Sequence, residues 1–85
     1  MIRDDIKNVI LEIIEDIDEE ADLNALISDK PMRDQLDLDS MDFLDIVMEL
    51  RRRYQLQIQE EDYHELETLE GCVDYLEPKL KYFDS

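Results

Sequence analysis

The stretch Leu36-Asp37-Leu38-Asp39-Ser40-Met41-Asp42 sets one serine hydroxyl among several carboxylates. A serine becomes a catalytic nucleophile only beside a base that takes its proton. The chain has one histidine, His64, and one cysteine, Cys72. It contains no His/Cys/Asp nucleophile arrangement and no glycine-rich phosphate loop. Taken from the residues alone, helix capping accounts for this stretch. Asp and Ser are preferred N-cap residues, and acids in a first turn suit the helix dipole. Ser40 is then expected at a helix start, with its hydroxyl accessible.

The elements that must position it follow from apolar spacing. After Ser40, Met41, Leu44, Val47 and Met48 recur at helical intervals, with Phe43, Leu50 and Tyr54 widening the stripe, which predicts a helix over 40–54. Upstream, Ile2, Ile6, Val9, Ile10, Ile13, Ile14 and Ile17 share one face of a helix over about 3–18. β-branched residues are only middling helix formers, so packing must hold that helix. Residues 18–39 carry Pro31 and short apolar pieces (Leu23, Leu26, Ile27, Met32, Leu36), which predicts a long loop that packs down, with a helical turn starting near Asp22 or Asn24. Residues 60–66 are expected to form one or two helical turns. Thr68 is expected to cap a last helix that Pro78 stops or bends, leaving 79–85 as a frayed tail.

Asp39-Ser40-Met41 followed by an amphipathic helix resembles the Asp-Ser-Leu/Met signature of acyl carrier proteins, in which the serine carries 4'-phosphopantetheine. The similarity runs without gaps over 36–76 and takes in Ile58, Glu60-Glu61-Asp62 and Thr68-Leu69-Glu70-Gly71-Cys72-Val73-Asp74-Tyr75-Leu76. It implies an all-α four-helix bundle of acyl-carrier type with a long first loop and a short third helix, one domain over 1–85. It further implies a free-standing carrier, not an enzyme. A phosphopantetheinyl transferase would load Ser40, and the arm's thiol would hold an acyl group as a thioester for lipid or specialised-metabolite biosynthesis.

Composition agrees with that reading from an independent direction. Twenty-five acidic residues against nine Lys and Arg leave a formal charge of −16 on 85 residues. Such a chain repels nucleic acid and anionic membranes and attracts basic protein surfaces. The lone Cys72 cannot form an internal disulfide, and no zinc-type cluster surrounds it. A calcium loop begun at Asp37 fails, because its sixth place is Asp42 and its twelfth Met48. The acidic N-terminus is unlike a signal peptide, and no segment has the roughly 20 apolar residues of a membrane span. A soluble cytoplasmic monomer is expected.

Between residues 34 and 49 there are six acids and no basic residue, so this surface is the strongest negative patch. The resemblance implies that Asp37, Asp39, Met41, Asp42, Asp45 and Glu49 meet arginine- and lysine-rich enzymes that load and unload the arm. Arg51-Arg52-Arg53 departs from the usually acidic family pattern and implies dedicated partners. The resemblance also implies an acyl slot lined by Leu50, Ile58, Tyr63, Leu66, Cys72 and Tyr75, with Tyr63 larger than the usual residue and the cargo correspondingly short or polar. Two alternatives stay open: an aminoacyl or peptidyl carrier, and an unmodified acidic adaptor in which Ser40 only caps a helix.

Overall fold

A computed structural model describes residues 2–36 and 38–81. Helix α1 covers Arg3–Ile17. Ile6, Ile10, Ile13 and Ile14 are at most 1% exposed, so the centre of the isoleucine stripe is core. Burying each such side chain contributes about 1.5–3 kcal/mol. The ends of the stripe differ: Val9 and Ile17 are half-buried and Ile2 is exposed. α1 packs against the two other long helices, α3 (Ser40–Tyr54) and α4 (Leu69–Leu80). Among the described residues the only β pairing is an isolated bridge between Pro31 and Thr68. The architecture is the expected helical bundle, and a 3-10 segment, Glu60–Leu66, stands in the place of the short third helix.

The core face of α3 is rotated from the expected one. Ile46, Val47 and Leu50 are buried, and Phe43 and Tyr54 pack partly against them, whereas Met41, Leu44 and Met48 lie in the open. The helix carries apolar residues on two faces, and the isoleucine face of α1 decides which one is covered. α3 ends in a left-handed cap at Gln55, with φ 54°. Arg53 then ties this end to α1, donating to Glu49 at 2.8 Å and lying 3.7 Å from Asp16 and 3.8 Å from Glu12. The far end of α1 is tied to α4 by Arg3, 2.7 Å from Asp74 and 3.0 Å from Glu77.

The loop after α1 is stitched down rather than free. It contains a 3-10 turn, Leu23–Ala25, and a single helical turn, α2 (Met32–Gln35). Met32, Leu36 and Leu38 are buried, while Ile27 is largely exposed. The Met32 N–H donates to the Glu67 carbonyl at 2.8 Å, and the Glu70 N–H donates to the Ser28 carbonyl at 2.9 Å. Within the loop, the Gln35 amide donates to the Ile27 and Lys30 carbonyls at 2.9 and 3.0 Å.

α4 begins as expected, with the Thr68 hydroxyl accepting from the Gly71 N–H at 2.8 Å. Pro78 does not stop it. The helix continues to Leu80, which is 1% exposed, so Lys79 and Leu80 belong to α4 and not to a frayed tail. Pro78 lies in the last turn, where it removes a backbone donor and sets its ring against the Asp74 carbonyl, and burial of Leu80 offsets that cost. Residues 82–85 lie outside the described residues.

Gly71 occupies a site with no room for a side chain. A Cβ there would lie 2.8 Å from the Thr68 Oγ1 and press still closer on the Glu65 carbonyl oxygen, which is backbone and cannot swing away. Gly71→Ala is therefore expected to destabilise the fold by about 1–3 kcal/mol despite the better helix propensity of alanine. An unchanged urea midpoint in that variant would contradict this account of the junction.

Candidate functional site

Ser40 is the first residue of α3, but it is not the cap. Asp39 precedes it in extended conformation and accepts from the Asp42 N–H at 2.9 Å, while Asp42 reaches back to accept from the Asp39 N–H at 3.2 Å. This reciprocal box satisfies the helix start with carboxylates alone. The Ser40 hydroxyl is left exposed and relieved of any capping duty. Its hydrogen-bond partner is Arg33 of α2, whose Nη2 donates to Oγ at 3.4 Å.

A groove of about 320 Å³ opens beside the hydroxyl, lined by Arg33, Ser40, Phe43, Leu44, Tyr63 and His64, with Glu60 and Glu67 at its edges. Phe43 on α3 and Tyr63 on the 3-10 segment meet edge to face across it, their ring centroids 5.8 Å apart. Such a pair is a favoured aromatic geometry and joins the two walls.

The expected acyl-slot residues do not share one opening. Tyr63 lines this groove, while Leu50, Ile58, Leu66 and Cys72 are buried in the core. Tyr75 is half-buried and donates its hydroxyl to Asp62 at 2.8 Å. Burial, then the Asp62 carboxylate, push the Tyr75 hydroxyl up to about 12, so it stays protonated and the bond ties α4 to the 3-10 segment. The Lys79 ammonium sits 4.8 Å from the Tyr75 ring centroid.

The expected partner-facing residues divide into two groups. Met41 and Asp45 are exposed, and with Leu44 and Met48 they form an open apolar stripe edged by acid. Glu49 is engaged by Arg52 and Arg53, and hydrogen bonding from Arg53 chiefly holds its carboxyl below the usual carboxylate range. The three-arginine run thus serves the α1–α3 contact at Arg53. Asp37 lies outside the described residues. Sequence reasoning missed Arg33 entirely, since the α2 turn that brings it to Ser40 has no periodic signature. A second opening of about 500 Å³ lies between α1 and α3, lined by Ile13, Ile17, Met48 and several charged groups, and it does not include Ser40.

Residues 6–76 match the family described as phosphopantetheine attachment site. The chain is 32% identical over 59 residues to an acyl carrier protein of an Exiguobacterium species, covering 69% of this chain and 75% of that one. It is 30% identical to that of Rubrobacter xylanophilus across 89% of this chain and 93% of the relative. It is 29% identical to that of Petrotoga mobilis across 99% and 98%.

Cys72 has a fixed place in the core. It is fully buried, its Sγ donates to the Leu66 carbonyl at 3.3 Å, and burial pushes its thiol up to about 12. The thiolate is the reactive form. The folded apo chain is therefore expected to resist a thiol reagent at pH 8 and to take up one label per chain only in denaturant. Native labelling at the rate of a free thiol would contradict the burial.

Proposed function

The chain belongs to the phosphopantetheine attachment site family of acyl carrier proteins, and on that premise we propose that its 4'-phosphopantetheine arm is attached at Ser40. Proteins of this kind are carriers and not catalysts. The observation that carries the assignment is the helix start: Asp39 and Asp42 cap each other, which leaves the neighbouring hydroxyl exposed and free of a capping bond. That arrangement also weighs against an adaptor in which Ser40 merely caps.

The donor set suits the arm. An exposed hydroxyl offers the attachment atom, a guanidinium stands beside it, and Phe43, Leu44 and Tyr63 give an apolar wall along which the arm can lie. Attachment forms the Ser40 Oγ–P bond as the pyrophosphate of coenzyme A breaks, releasing the nucleotide half, and the hydroxyl proton passes to a base of the phosphopantetheinyl transferase. Once bound, the arm supplies a thiol that holds an acyl group as a thioester. The chain's own residues position that arm and present it, which needs no catalytic base in the carrier.

Presentation falls to the outer face of α3. Met41, Leu44 and Met48 give apolar contact area beside Asp39, Asp42 and Asp45, a pattern that fits a partner with an apolar patch ringed by Arg and Lys. The cargo on this reading is an acyl group of lipid or specialised-metabolite biosynthesis, and the groove bears on its size. Phe43 and Tyr63 line it as an edge-to-face pair, and Leu50, Leu66 and Cys72 are packed in the buried core. Short or polar acyl groups are the expected cargo, and a bound structure with a long chain fully sequestered would refute that.

The deciding experiment is intact-protein mass before and after incubation with coenzyme A, magnesium and a broad-specificity transferase. Wild type is expected to gain one phosphopantetheine and Ser40→Ala none. No gain in a folded, previously unmodified wild type would return Ser40 to a structural role and favour the acidic adaptor.

A further inference from the structure

The cationic residue beside Ser40 has no evident duty in the fold. Arg33 is exposed, and among the described residues the ion pairs involve Arg3, Arg52 and Arg53 but not Arg33. Its guanidinium is nevertheless placed. Met32, immediately before it, is buried and hydrogen-bonded through its N–H to Glu67, so the α2 turn is anchored from within. From that turn the side chain reaches the Ser40 Oγ and lines the same groove.

We propose that Arg33 is a positioning residue for the arm, its guanidinium pairing with the phosphodiester at Ser40 and laying the arm along the groove between Phe43, Leu44 and Tyr63. This rests on attachment at Ser40. The charge pattern gives the reason. A phosphodiester at Oγ enters a neighbourhood that already holds the Asp39 and Asp42 carboxylates, with Glu60 and Glu67 on the groove and a chain charge of −16 around it. Arg33 is the permanent cation on that groove, whose other ionisable side chains are Glu60, Tyr63, His64 and Glu67. The amide donor that the helix start could offer from Asp42 is already taken by Asp39. Arginine presents a planar fork of donors that matches phosphate oxygens, and the phosphate's free oxygens would sit on the phosphorus bonded to Oγ, two bonds from the atom the guanidinium already contacts.

Melting apo and holo forms of wild type, Arg33→Met and Arg33→Lys tests this as a cycle, since a merely structural Arg33 would shift both forms equally. In low salt the holo-minus-apo difference in Tm is expected to fall by about 2–5 °C in Arg33→Met, and less in Arg33→Lys. The difference between wild type and Arg33→Met should shrink in 0.5 M salt, roughly as an exposed ion pair is screened. The phosphorus resonance of the holo protein is expected to move in Arg33→Met and to be largely kept in Arg33→Lys. Mass spectra read the underlying assignment separately. Failure of folded wild type to gain the arm overturns both proposals. A full mass gain with the same holo-minus-apo Tm difference and the same phosphorus resonance in wild type and Arg33→Met overturns the positioning role alone.

Discussion

Burial of the α1 isoleucines against α3 and α4 has to outweigh the mutual repulsion of a chain with a formal charge of −16. An 85-residue chain buries only about 60–65% of its unfolded surface, so little apolar area is surplus. The core meets this constraint without compromise: no polar or charged side chain is buried in it among the described residues. Among the described residues no carboxylate is buried, so water can screen each of them. Two of the nine Lys and Arg residues bridge acidic helices, Arg3 between α1 and α4 and Arg53 between α1 and α3.

The same constraint shapes the site. With the interior filled, what remains near Ser40 is a surface groove, walled by an aromatic pair rather than opening into the bundle. The helix start solves its own hydrogen bonding with two aspartates and leaves the serine idle. The α2 turn and the junction before α4 are joined by the hydrogen bond between Met32 and Glu67, which holds Arg33 of the turn next to the segment that carries Tyr63 and His64.

Much of this was legible in the residues because local chemistry decides it. The first and last residues of α3 follow from Asp39-Ser40 and the apolar run, and the start of α4 follows from Thr68, whose hydroxyl makes the bond its residue type suggests. The exposed face of α3 was not legible, because Met41, Leu44 and Met48 are as periodic as Ile46, Val47 and Leu50, and only the position of α1 chooses between them. Nor was α2, a single turn whose stability comes from Met32 burial and a bond to a residue far along the chain. Pro78 misled because the anchor that offsets its cost, Leu80, lies beyond it and shows only in the packing. The acyl-slot residues were chosen by resemblance, and they stand mostly inside the packed core, where distance along the sequence says nothing about accessible space.

The open methionines of α3 have a redox consequence. Met41 and Met48 are 73% and 63% exposed, whereas Met32 is 1% exposed and shielded by the core. Oxidants reach thioethers by access, and a sulfoxide replaces a soft apolar surface with a strong dipole. Mild oxidative damage would therefore fall on the outer face of α3 and leave the bundle intact, producing a chain that is folded but altered in the surface it offers to other proteins.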